Sequence, residues 1–158
     1  MDTLIVGFSR MKFKGLLSPH DDPLVITTRV HGCEVPRILV DGGSSADVMF
    51  WPCFKALGLS RARLVPYHHP LIRFSGEKVH PLGVYEVDVR MGDEWPRWLT
   101  KKVSFFMMDE QVFSAYNIIL GRVALKGFEA VPSTVHQMIK FPTPYGVGEV
   151  QGDQTTAR

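Results

Sequence analysis

Proline and glycine interrupt this chain so often that no long helix fits between them. The 158 residues hold 14 Gly and 11 Pro, scattered from end to end, and both residue types break helices and start turns. Between the breaks lie short runs rich in Val, Ile, Phe and Tyr. Residues 24–30 and 33–40 read as two strands joined by a tight turn at His31-Gly32. Residues 79–89 carry the clearest alternation, with Tyr85, Val87 and Val89 set against Glu86, Asp88 and Arg90. Further strands are expected at 4–8, 46–50, 98–108 and 117–120, and a closing hairpin at 134–141 and 146–150. Residues 64–74 read as extended, and Ser75-Gly76-Glu77-Lys78 as a hairpin tip. Pro52 suits the first turn of a short helix that Gly58 ends, with Phe54 and Leu57 facing the core, and 124–130 suits a second helix. Such a chain makes an all-β, barrel-like domain with one or two short helices. Its expected extent is 19–151, after a poorly defined segment at 1–18 and before a frayed tail at 152–158.

One stretch stands out within this frame. Ile38, Leu39 and Val40 read as a buried strand that runs straight into Asp41, Gly42, Gly43, Ser44 and Ser45. A carboxylate at the end of a buried strand is costly unless hydrogen bonds or a second charge hold it. The glycines offer close backbone approach and free N–H groups. This is a way to hold one carboxylate at the floor of a cleft. The competing reading is an Asp-Gly turn with Asp41 solvated, since Asp-Gly is a common turn pair.

Four blocks carry a resemblance that separates these readings: PHDDPLVI at 19–26, LVDGGSSADVMF at 39–50, YNIILGR at 116–122 and KFPTPYGVGEVQGDQ at 140–154. In this order they resemble the protease region of plant Ty3/gypsy-type retrotransposon polyproteins, a branch of the retropepsin-like aspartic proteases. The resemblance implies a small closed β-barrel with a hairpin flap. It implies that Asp41 is the catalytic carboxylate and that Gly42, Gly43 and Ser44 form the active-site loop, with the Ser44 hydroxyl beside the carboxylate. Phe74, Ser75 and Gly76 would lie in the flap, and Ile119, Leu120 and Gly121 beneath the site. Aspartic proteolysis needs two carboxylates sharing a proton. No other aspartate here has a strand-Asp-x-Gly setting, so the partner is expected to be Asp41 of a second copy in a twofold dimer joined through the active-site loop. The expected substrate is a polyprotein or peptide. One position departs from the family. Gly42 stands where the family has a hydroxyl that bonds across the dimer, which favours a weak dimer or a domain of this fold that binds without cleaving. The initiator-like Met1 suggests an excised piece of a polyprotein gene, or a decayed copy.

Other chemistries find less support. His31, Cys33, His68 and His69 match no zinc spacing, so neither a metal nor any other cofactor is expected. Gly42-Gly43-Ser44-Ser45 is not a serine-hydrolase elbow, and the glycines at 7–15 lack a Gly-Lys-Ser/Thr ending. Arg61 and Arg63 read as a solvated loop, and 105–108 as core or dimer surface. A net charge of +2 supplies no dense basic patch for nucleic acid. No apolar run approaches a membrane span. Cys33 and Cys53, the only two cysteines, read as reduced, buried side chains in a cytoplasmic protein.

Overall fold

A computed structural model of the chain describes residues 4–6, 22–73 and 75–153; Phe74 and the 1–3, 7–21 and 154–158 segments lie outside the described residues. Among the described residues, twelve strands and two short α-helices follow in the order β1 (Leu4–Val6), β2 (Leu24–Val30), β3 (Cys33–Val40), β4 (Val48–Met49), α1 (Trp51–Ala56), β5 (Leu71–Arg73), β6 (Lys78–Val79), β7 (Gly83–Met91), β8 (Leu99–Met107), β9 (Ile118–Leu120), α2 (Arg122–Gly127), β10 (Val131–Ser133), β11 (Met138–Thr143) and β12 (Gly146–Gln151). Six of the strands close a barrel in the order β2-β3-β9-β4-β8-β7. The all-β barrel expected from the punctuation is therefore the fold.

The hairpin that starts the barrel follows from two residues. His31 and Gly32 both take positive φ, at 53° and 75°, which is the turn geometry that matches strand twist. In the next hairpin, β7 and β8 pair antiparallel over nine residues, from Gly83↔Met107 to Met91↔Leu99. Along β7 the odd positions Tyr85, Val87 and Val89 are buried and Glu86 and Asp88 are exposed.

The two central strands are different. Ile38 and Val40 of β3, with Ile118 and Leu120 of β9, point into the main core beside Phe105, Phe54 and Phe128. Leu39 and Ile119 point the other way, into a second core with Val25, Val48, Phe50, Leu71 and Val79. Both strands are covered on both faces, and so they read as unbroken apolar runs instead of alternating ones.

Several boundaries differ from expectation. The run at 79–89 is two strands, because Pro81 cannot donate to a ladder and Gly83 brings the chain so close to Val65 that a Cβ would lie 2.7 Å from its carbonyl oxygen. Of the expected extended stretch at 64–74, the described residues 64–73 form a single bridge from Val65 to Val84 and the short β5, with Pro66 and Pro70 breaking the rest. Arg61–Arg63 is an exposed 3-10 turn. β10 was not expected at all; it is three residues long, contains Pro132, and pairs with β11 at the edge of a separate sheet, β10-β11-β12. Cys33 is exposed, contrary to its reading as buried, since it opens β3 at the solvent end; Cys53 is buried. Burial pushes the Cys53 thiol up to about 12, so it stays protonated. Beyond β12 the chain remains bonded: Gly152 N–H donates to Gln137 O at 2.7 Å and Asp153 N–H to Val25 O at 2.6 Å. Among the described residues no helix is long and apolar enough to cross a membrane.

Candidate active site

The parallel pairing of β3 with β9 does the essential positioning. The register runs Ile38↔Ile118, Leu39↔Ile119 and Val40↔Leu120. Parallel strands emerge at the same end, so Asp41 and Gly121 come out side by side although 80 positions separate them in the chain. The two motifs that read as the signature of the site are thus one structural unit.

Asp41 is 4% exposed, which overturns the reading of a solvated Asp-Gly turn. Its N–H donates to Leu120 O at 2.9 Å, and its own carbonyl accepts from Ser44 N–H at 3.0 Å. Gly43 N–H donates to its Oδ1 at 2.9 Å. Gly42 and Gly43 are exposed beside it, whereas Ser44 is buried. The loop therefore lays a buried carboxylate under two bare, accessible glycines. The Ser44 hydroxyl, expected beside the carboxylate, donates to Ala46 O at 2.7 Å instead and closes the loop's turn. Gly42 does not require glycine. Its backbone lies outside the left-handed region, and a Cβ there would meet only Leu125 Cδ1 at 4.0 Å.

Gly121 does require glycine. A Cβ there would stand 2.5 Å from Ala46 O and 2.8 Å from Ser44 O. The loop at 41–47 is drawn onto the backbone at 120–122 and no side chain fits between. Gly121 is also the N-cap of α2, and with no side chain it cannot cap its own helix. Asp47 supplies the missing acceptor: its Oδ1 takes the Gly121 N–H at 2.6 Å, and its carboxylate also accepts from Ala124 N–H. Asp47 is 3% exposed. Burial outweighs these two bonds and raises its pKa from 3.8 to about 6. Sequence reasoning passed over this residue. Its signal was a lone carboxylate inside the apolar run Ala46-Asp47-Val48-Met49-Phe50, a placement that demands internal hydrogen bonds.

Ser75 and Gly76, two of the residues expected in a flap, lie in a hairpin of β5 and β6. Gly76 turns it at φ 88°, Arg73 N–H donates to Glu77 O at 2.9 Å, and Gly76 N–H to Arg73 O at 2.8 Å. Ser75 and Gly76 are exposed at its tip; Phe74 lies outside the described residues. Leu71 and Val79 at its base share the second core with Leu39 and Ile119, immediately behind the strands that end at the site. A groove of about 630 Å³ lies elsewhere, on the outer face of β10-β11-β12 between Val131, Met138, Pro142 and Val147. Asp41 is not among its lining residues. Among the described residues no three metal-ligating side chains converge, His31, Cys33, His68 and His69 included.

No known family profile and no curated protein sequence matches the chain. Solved structures do. The retroviral protease-like domain of Ddi1 from Leishmania major superposes with a TM-score of 0.58 at 16% identity, over 83% of this chain and 93% of that one. A retropepsin-like aspartic protease from Rickettsia conorii gives 0.48 at 15% identity, over 81% of each. The fold is the retropepsin-like barrel.

The raised pKa of Asp47 has a consequence for stability. The folded state holds this proton more tightly than the unfolded chain, so the contribution is full below about pH 4 and is lost as pH rises through about 6. The difference across that window is about 3 kcal/mol. Asp47→Asn keeps an acceptor for Gly121 without the buried charge. Urea unfolding of the two proteins at pH 4.5, 5.5, 6.5 and 7.5 is expected to show the Asn variant gaining on the parent up to about pH 6.5, the gap then levelling off. A constant gap between them would mean that Asp47 is not held near pH 6.

Proposed function

We infer that this chain is one half of an aspartic endopeptidase whose site is completed by a second copy. The observation that carries the reading is the buried Asp41 carboxylate, set beneath exposed glycines at the end of the β3–β9 pair in a retropepsin-like barrel. Among the described residues one chain offers one such carboxylate. A twofold dimer meeting at the loop would set two of them together, and like charges that close share one proton. The ionised carboxylate then takes a proton from a water, the water oxygen attacks the scissile carbonyl, and the protonated partner donates to the carbonyl oxygen. Collapse of the resulting diol breaks the C–N bond as a proton passes to the leaving amine. The β5–β6 hairpin, with Ser75 and Gly76 at its tip, would fold over the peptide. The four sequence blocks favour processing of a plant Ty3/gypsy-type retroelement polyprotein in the cytoplasm, with no nucleic acid or membrane partner.

The primary test is cleavage of a longer precursor containing this domain. Asp41→Asn preserves shape and removes the shared proton, so cleavage is expected to fall by several orders of magnitude with the thermal transition unchanged. A folded Asn variant that cleaves as fast as the parent would remove the aspartic mechanism.

A second reading is favoured by one residue. Gly42 has no hydroxyl with which to brace the opposite loop, as a non-cleaving, dimerising or peptide-binding domain would tolerate. Restoring that group discriminates between the two. Two symmetric bonds at about 1 kcal/mol each, plus a stiffer loop, amount to about 2–4 kcal/mol, or on the order of two tenfold steps in dissociation constant. A Cβ at position 42 has room, meeting only Leu125 Cδ1 at 4.0 Å. Gly42→Thr is expected to tighten the dimer in sedimentation equilibrium and to raise cleavage over the same concentrations. A tighter dimer that still does not cleave supports the binding domain, and an unchanged dimer means that the two copies are gripped elsewhere.

A further inference from the structure

The catalytic loop is stitched to the backbone at 120–122 by three bonds in sequence. Asp41 N–H donates to Leu120 O at 2.9 Å and Arg122 N–H to Ser44 O at 2.8 Å, and Gly121 N–H donates to Asp47 Oδ1 at 2.6 Å. The first two join backbone to backbone. Only the third uses a side chain, and it is the one that closes the far end of the loop. The bond also ties the loop to α2, because the same carboxylate accepts from Ala124. On its other side, the Asp47 carbonyl accepts from Phe106 N–H at 2.9 Å, which fixes the residue to β8. Asp47 is therefore anchored to the barrel through its backbone and to α2 through its side chain, with Gly121 held against Ser44 and Ala46 between them.

We propose that Asp47 is a positioning residue for catalysis, holding Gly121 against the loop so that the Asp41 carboxylate keeps its reactive pose. The inference rests on the endopeptidase reading for its kinetic part and on geometry alone for its structural part. If the third stitch is removed, α2 keeps its core packing through Ala124 and Leu125 but loses the side-chain bond that ties its start to the loop. The neighbouring stitches at Asp41 and Arg122 then loosen although Asp47 touches neither. Small displacements of a reacting group lower turnover far more than they weaken substrate binding.

The test compares Asp47→Ala, Asp47→Ser and Asp47→Asn in the full chain, by amide hydrogen exchange and by peptide cleavage. Exchange is read at Asp41 and Arg122, with Val87 in β7 as an internal control. In the Ala variant the two probe amides are expected to exchange about tenfold faster than in the parent while Val87 is unchanged, consistent with loss of a helix cap. The Asn variant, which keeps an acceptor, is expected to restore protection, and Ser to fall between. In cleavage, Ala is expected to lower kcat by about ten- to a hundredfold at nearly constant KM, with Asn recovering most of it. Should the Ala variant not fold, Ser against Asn carries the same comparison. Unchanged exchange at Asp41 and Arg122 in a folded Ala variant, or loosened exchange with unaltered kcat, would overturn the proposal. Failure of the endopeptidase reading shows separately, as parent cleavage that Asp41→Asn does not abolish, and exchange then decides the positioning role alone.

Discussion

The rest of the structure depends on one close approach, the contact of the Gly121 backbone with the carbonyls of Ser44 and Ala46. It exists because β3 and β9 run parallel in register and end together. Any side chain at 121 would collide with those oxygens. From that contact follow the seat of α2, the need for a carboxylate at 47 to replace the cap that a glycine cannot supply, and the fixed path of the loop that holds Asp41. A buried carboxylate is expensive in an apolar setting. Here one loop buries two, each accepting from backbone N–H, one at the loop's start and one at its end.

The two carboxylates divide the work. Asp41 lies under exposed glycines, where a ligand or a second copy can approach. Asp47 instead bonds to the start of α2 through its side chain and to β8 through its backbone, beside a cavity of about 240 Å³. The proton linkage at Asp47 makes the domain firmer on the acid side of neutrality, the same side on which a proton shared between two Asp41 carboxylates would support catalysis.

Much of the fold was legible because local chemistry and burial agreed. The β2 and β3 hairpin carried its turn residues, and the β7 alternation recorded one buried face. The unbroken run of β3 recorded two. What was hidden came from distant pairings. The start of α2 was misplaced by two residues because its cap comes from Asp47, far upstream. β10 escaped notice because three residues with a proline make a strand only when β11 lies alongside. Cys33 was misread because residue type, rather than its place at the open end of β3, guided the expectation. At the site, Asp41 and the Gly121 motif could be singled out as residues, but their adjacency is a property of strand order. The destination of the Ser44 hydroxyl was likewise set by the turn it closes.

Among the described residues one chain sets a single carboxylate beneath open glycines and the proposed chemistry uses two, so the claim at the centre of this account is a site shared between copies. The most direct measurement mixes the parent chain with Asp41→Asn chain at fixed parent concentration, under conditions where subunits exchange, and follows peptide cleavage. If each site draws one Asp41 from each copy, excess Asn chain captures parent chains in dead pairs and activity falls toward zero as the Asn fraction rises. Activity that stays constant, set by the amount of parent chain alone, would contradict the shared site.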